Sequence, residues 1–404
     1  MGLSDDEMLD REELGLCSGN GGDVCGLCIG DPILAEFITA NATALQCDYC
    51  NKLFETACAA GLSEVVQFMA EIINEEWTDP VHELAYESRE GGYQGDAIDA
   101  YDLMEEIGFE PENSELFDDV VSHFIGHDWC RRDYYSVSPA ERHQIGWQRF
   151  CREVMHSRRY TFWSALEDGL PEFHPDHLPP GMMLGEVSEI ISELSLIREF
   201  PAGTRFWRAQ EHDLTVTLEI PTKFTSPPLK FSVQPNRMSP AGISMFYGTE
   251  DFETAALEVS GKEIKSGRSV SAIQFEACRT FQLLDLIVME QRVSYFASGG
   301  RDWRQRSRFL RYFTQEVSKP IEKDKRQHLE YVPTQVFTEY VRYHMLANAS
   351  HPIDGIRYSS SQNQRPCCVL FFDSDDCLRD QDGRPQALRA VPNSLRTVSL
   401  ESPR

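Results

Sequence analysis

Two cysteine pairs with the same internal gap, Cys25-Gly-Leu-Cys28 and Cys47-Asp-Tyr-Cys50, constrain the front of this 404-residue chain more than any other feature. Each pair presents two thiolates from one tight turn, and eighteen residues separate the pairs. Four thiolates so spaced suit one tetrahedral zinc ion in a ribbon-type knuckle. A closed four-thiolate site leaves no coordination position for chemistry, so Cys25, Cys28, Cys47 and Cys50 are expected to hold a structural zinc. Cys17 falls outside the spacing and reads as a spare thiol.

Charge narrows the classes of partner. Sixty-five acidic against thirty-eight basic residues leave a formal charge of −27. That balance disfavours long contacts with nucleic acid or an anionic membrane, which need basic surface. It still permits a small anionic ligand held by a few local arginines. No run reaches the eighteen or so apolar residues of a membrane span. The acidic opening MGLSDDEMLDREELG lacks the basic and apolar regions of a signal peptide. Twelve cysteines without an export signal point to a reducing cytoplasm.

After the acidic N-terminus and zinc ribbon (1–51), helical spacing dominates from 52 to about 180. Leu53, Phe54, Ala57, Leu62, Val65, Val66, Met69, Ile72 and Ile73 recur at helix period. Further helices are expected over 97–107, ending at Gly108, and over 115–125 and 139–158. This half reads as an all-α bundle. His123 and His127 stand four apart and share a helix face, but with no third ligand they read as structural or surface histidines. Arg149 and His156, six residues between them, match an Arg…His spacing found by chance in many helices. The segment GLPEFHPDHLPPG, with His174 and His177, reads as a linker.

The second half, 186–375, alternates short strands and helices, which suggests an α+β domain. A helix over 187–197 leads into the strand Thr204-Arg-Phe-Trp-Arg-Ala. The stretch Asn236–Glu258 runs from a Pro/Gly turn through an apolar strand ending at Tyr247, breaks at Gly248, and resumes as a helix carrying Glu258. A glycine break between strand and helix commonly lines a cleft. Strands are expected over 270–275, 281–288 and 367–372, and helices over 303–317 and from Tyr331 onward. The segment 376–404 reads as a polar, loosely held tail.

Taken in order, these pieces resemble the RES domain over roughly 201–373. FWRA supplies its arginine as Arg208. Tyr247 and Glu258, eleven apart, supply its tyrosine and glutamate. DGIRYSS supplies its serine as Ser360, with Ser359 one position away as the alternative. The N-terminal half resembles the HEPN-like domain often fused before RES domains, and HEPN ribonucleases use an Arg…His spacing like that of Arg149 and His156. Two positions depart from the family: Ala209 and Gln210 stand where many members have a second basic residue, and the usual turn is here Asn236-Arg237-Met238-Ser239.

The resemblance implies an ADP-ribosyltransferase-like fold and NAD+ as substrate. Family members are toxins that hydrolyse or phosphorolyse NAD+, or move its ADP-ribose to protein. It therefore implies an NAD+ glycohydrolase or phosphorylase with a toxin, toxin–antitoxin or antiphage-defence role; a protein ADP-ribosyltransferase and a HEPN-type ribonuclease are the alternatives. Glu258 would stabilise the sugar cation, Arg208 hold a phosphate, Tyr247 face the nicotinamide ribose and Ser360 bond the amide or ribose. Arg237 and Gln335 are further ligand-binding candidates. The N-terminal domains would serve homo-oligomerisation or docking of an antitoxin or other regulator.

Overall fold

The structure, a computed structural model, describes residues 11–89, 91–164, 178–216, 218–261, 267–290, 294–297, 299–320, 327–347, 351–378 and 386–399. His174 and His177 lie outside the described residues. The chain forms two compact units, one of residues 1–139 with 292–305 and one of 140–291 with 306–404. No described helix is long and apolar enough to cross a membrane.

In the first unit, the strand Asp23–Cys25 pairs antiparallel with Ala59–Gly61. The helix Pro32–Asn41 starts where the Asp31 carboxylate accepts from the Ile33 and Leu34 amides, with Pro32 in the first turn. The helix Leu62–Ile73 buries Leu62, Val65, Val66, Met69 and Ile73 as their spacing predicts, but Leu53, Phe54 and Ala57 precede it outside any helix, with Leu53 exposed. Asp99 and Asn113 cap the helices Ala100–Glu106 and Ser114–Ser122. The unit is not purely helical as expected. Trp77–Thr78 pairs with Cys130–Arg131, and Tyr86–Glu87 with Gly92–Tyr93. These two-residue ladders satisfy backbone groups in long connections that helices cannot, and they are too short to leave a period in the sequence.

The far-off segment ending at Gln305 completes this unit. Phe296 is buried in its core, and the Arg304 guanidinium clasps the buried Glu76 carboxylate at 2.5 Å and Glu75 at 2.5 Å. Gln305 adds a bond to Glu76 at 3.2 Å. A buried carboxylate is tolerable only when paired and hydrogen-bonded in this way.

The second unit is built on one nine-stranded sheet. Its strands are β1 (Ile197–Phe200), β2 (Arg205–Asp213), β3 (Phe246–Thr249), β4 (Arg268–Ala277), β5 (Phe281–Asp285), β6 (Gly355–Ser359), β7 (Pro366–Leu370), β8 (Leu388–Ala390) and β9 (Arg396–Ser399). They lie in the order β8-β4-β2-β3-β7-β6-β5-β1, with β9 also on β4. The β5–β6 pair is parallel and the remaining pairs antiparallel. The helices are α1 (Pro139–His156), α2 (Met183–Glu193), α3 (Phe252–Ser260), α4 (Gly300–Ser318, from Arg306 in this unit) and α5 (Val332–Tyr343). The main core lies between one sheet face and α1, α2, α4 and α5, and holds Trp147, Phe150, Ile191, Phe313, Phe337 and Val369. A second core on the opposite face gathers Phe206, Phe246, Phe275, Phe281 and Leu370.

Three expectations change here. α1, read from the sequence as the last helix of the N-terminal bundle, packs in this unit, with Trp147 against Phe150 and Phe313. Ile197 belongs not to the preceding helix, which stops at Glu193, but to β1, paired with Leu284. The described part of the polar tail is not loose: β8 and β9 both pair with β4. Leu388 is fully buried, Arg396 covers the Trp207 ring, and Thr397 bonds Ser271 at 2.8 Å. All four residues of β9 are exposed, which makes its composition polar and conceals the strand.

Gly355 opens β6 opposite Leu370 of β7. A Cβ there would lie 2.3 Å from the Val369 carbonyl oxygen. Gly355→Ala must force the strands apart, and overpacking of this kind costs about 1–3 kcal/mol. The variant is expected to unfold at a lower urea midpoint by that amount.

Candidate active site

The sheet is nearly cut in two between β2 and β3. β2 and β4 stay in register along β2 from Arg205 to Asp213, whereas β2 and β3 meet only at Trp207–Thr249. Past that joint the strands diverge, and the gap is the cleft. Arg208 spans it: its Nη1 donates to the Tyr247 carbonyl at 2.8 Å, and its guanidinium lies over the Phe246 ring. Its Nε is buried without a partner, and among the described residues no carboxylate pairs with it. Burial holds its pKa below the usual value, which is the cost of a cation taken from water without a counterion.

One wall is the turn Asn236–Ser239, fixed by α5. Gln335 Nε2 donates to the Asn236 carbonyl at 2.8 Å and to that of Ser239 at 3.3 Å. Thr334 bonds the Arg237 carbonyl at 2.6 Å. Met238, where the family's usual turn differs, is buried in the main core, with Thr338 on its sulfur. Arg237 lines the cleft, its Nη1 on the Val317 carbonyl at 2.9 Å. Gln335, expected from the sequence as a ligand contact, spends its amide nitrogen on bracing this turn. The Tyr247 hydroxyl is likewise engaged, 2.9 Å from Ser239 Oγ and accepting from the Met238 amide at 3.3 Å. Burial raises this phenol to about 12, so it stays protonated.

The opposite wall presents the carboxylate. Asp251 caps α3 by accepting from the Thr254 amide at 2.8 Å, and Glu258 stands near the far end of that helix. The Ser360 hydroxyl, fully buried, donates to Glu258 Oε1 at 2.5 Å. It also accepts from the Gln362 amide at 3.1 Å, which fixes the direction of the donated proton. Ser360, one residue past the end of β6, thus meets this carboxylate through its hydroxyl. The Cys367 thiol, unremarked in the sequence, adds a weak contact to the same oxygen at 3.8 Å. Among the described residues nothing bonds Glu258 Oε2.

Arg208, Arg237, Tyr247 and Glu258 thus line one cleft of about 470 Å³, together with Trp207, Met245, Tyr331, Tyr358, Ser361 and Cys367. That volume suits an organic ligand of some size. The cleft combines two cations, one exposed carboxylate and aromatic surface. Such a set can hold an anionic group at one end and stabilise positive charge at the other.

The N-terminal candidates divide clearly. The sulfurs of Cys25, Cys28, Cys47 and Cys50 converge, at 3.7 Å for Cys25–Cys28, 3.8 Å for Cys28–Cys47 and 3.9 Å for Cys25–Cys50. A tetrahedron with bonds of about 2.3 Å has edges near 3.8 Å, whereas a disulfide needs about 2.05 Å. The Cys25 amide points at Cys47 Sγ, 3.4 Å away. Among the described residues this is the one set of His, Cys, Asp and Glu that can hold a metal ion. His123 and His127 do not join a metal set. His123 is buried between Arg11 and the Asn20 carbonyl, and His127 packs on Trp129. Arg149 and His156 lie two helical turns apart on α1, and neither lines the cleft.

Two known families match the chain, and their boundary falls after α1, later than the contact boundary at 139/140. Residues 40–168 match the HEPN/RES N-terminal domain 1, and residues 205–390 match the RES domain. The chain is therefore a RES-domain protein with an N-terminal HEPN/RES domain. The RES match ends inside β8, so it takes in the first of the two tail strands. No curated protein and no solved structure matches the chain.

Because the Tyr247 hydroxyl is bound inside the protein, Tyr247→Phe removes a structural bond. It is expected to lower the unfolding free energy by about 1 kcal/mol, measured by urea titration.

Proposed function

We propose that the chain is an NAD+-degrading enzyme that cleaves the bond between nicotinamide and ribose C1′, on an ADP-ribosyltransferase-like fold, and acts as a toxin or defence effector. The observation that carries this reading is one cleft lined both by a half-buried arginine, whose buried Nε has no partner, and by a carboxylate whose one oxygen is pinned by Ser360. An arginine so placed invites a phosphate, which it can grip through two N–H groups. A dinucleotide pyrophosphate at Arg208, with Arg237 nearby, would run its nicotinamide ribose toward Glu258.

The reaction then follows from charge. As the C1′–N bond breaks, its electron pair leaves with nicotinamide, which departs neutral, and the sugar becomes oxocarbenium-like. Glu258 stabilises that cation electrostatically, and the Ser360 hydrogen bond keeps the carboxylate facing it. A water oxygen adds to C1′ and sheds one proton, giving ADP-ribose. With phosphate as the nucleophile the product is ADP-ribose phosphate; with a protein side chain it is a modified protein. Tyr247 stacks its ring as a wall, its hydroxyl being committed elsewhere.

Glu258→Gln keeps the volume and the Ser360 contact and removes the charge. Nicotinamide release from NAD+ is expected to fall about a hundredfold or more, with the urea midpoint unchanged. Full turnover in this variant would overturn the assignment, and adenine-derived label appearing on protein would identify transfer instead of hydrolysis.

We also assign zinc to the four-cysteine set, on the match between its sulfur spacing and a tetrahedral thiolate shell. The ion supplies a structural cross-link and no catalytic step. Elemental analysis is expected to find one zinc per chain. Cys47→Ser is expected to lose the metal and to lower the melting temperature of the first unit.

A further inference from the structure

Two tyrosines stand on one sheet face beside Glu258. In the registers of β3, β7 and β6, Tyr247 faces Val369 and Tyr358 faces Cys367. Side chains two apart on a strand share a face, and directly opposed residues are neighbours. Tyr358 therefore sits next to Cys367, whose sulfur touches Glu258 Oε1. Only 8% of Tyr358 is exposed, yet it lines the cleft. Tyr247 gives its hydroxyl to the turn at Met238 and Ser239, whereas among the described residues none hydrogen-bonds the Tyr358 hydroxyl.

The Tyr358 hydroxyl is open to the cleft and free to bond a ligand there. Burial, with Cys367 and Glu258 beside it, holds this phenol well above its ordinary pKa, so it is a hydrogen-bond donor at any working pH. The carboxylate next to it can only accept. Its Oε1 is engaged by Ser360 and Cys367, which leaves Oε2 for the ligand. A ligand oxygen between the two must donate to one and accept from the other. A hydroxyl group does both; an ether or carbonyl oxygen cannot donate.

We propose that Tyr358 is a specificity-determining residue that donates a hydrogen bond to a sugar hydroxyl which in turn donates to Glu258 Oε2. The inference rests on the NAD+ reading above and identifies the group as a hydroxyl of the nicotinamide ribose. Tyr358 and Glu258 together read that hydroxyl, while Tyr247 is a wall. A site built to bond a hydroxyl rejects the analogue that lacks it, because its own polar groups are then left unpaired.

The test compares kcat/KM of the full chain for NAD+ and for its 2′-deoxy and 3′-deoxy analogues on the nicotinamide ribose. The wild-type protein is expected to discriminate against one analogue about a hundredfold or more. In Tyr358→Phe, turnover of NAD+ is expected to fall about tenfold or more, equivalent to one lost hydrogen bond. Turnover of the disfavoured analogue is expected to stay unchanged, so the discrimination shrinks by the same factor. A variant that loses NAD+ and analogue turnover equally, or loses neither, overturns the role of Tyr358. Wild-type protein that turns over both analogues as well as NAD+ overturns it without any variant. Wild-type protein that releases no nicotinamide overturns the NAD+ reading itself, and with it this inference.

Discussion

The single paired register between β2 and β3, Trp207 with Thr249, holds the second unit together and also opens it. On one side of that joint a long ladder ties β2 to β4. On the other, β3, β7 and β6 form their own ladder. A sheet paired along its full length would have no cleft, and one with no joint would be two sheets free to slide. The exposed backbone at the divergence is not left unsatisfied: the Arg208 guanidinium takes the Tyr247 carbonyl that a longer β2 ladder would have used. The residue most suited to hold an anion is thus also the one that closes the backbone account at the split.

Each wall of the cleft is held from behind by a different device. The Asn236–Ser239 turn hangs on the side chains of α5, and the Glu258 carboxylate hangs on Ser360. Both devices use short polar side chains, Thr334, Gln335 and Ser360, that lie buried and leave the cleft surface to other residues. Their rigidity matters because electrostatic stabilisation depends on groups that need not reorganise as charge develops.

Much of this was legible in the sequence, for identifiable reasons. The two C-x2-C knuckles announced their convergence because equal spacing is hard to produce by chance, and the sulfurs do converge. Arg208, Tyr247 and Glu258 were recoverable as an ordered set, and the structure places them at one cleft with Ser360 directly behind Glu258. What the sequence could not display was the division of labour inside the set. Whether a tyrosine hydroxyl is committed or free depends on the register between strands far apart in the chain, so Tyr247 and Tyr358 look alike on paper. Gln335 read as a ligand contact because it falls on an apolar helix face near the family motif, yet that face meets the back of a turn. The tail strands escaped because β9 is exposed at every position and β8 is only three residues long, so neither leaves an apolar period in the sequence.

The order of these parts along the chain has a consequence for synthesis. Arg208, Tyr247 and Glu258 are all made before the serine that aims the glutamate and the strand that backs the tyrosine, which come from 355–370. Until the ribosome has passed that point, β3 has no neighbour on its β7 side, and Glu258 has no partner to set its direction. The cleft is therefore completed only once residues 355–370 have been made.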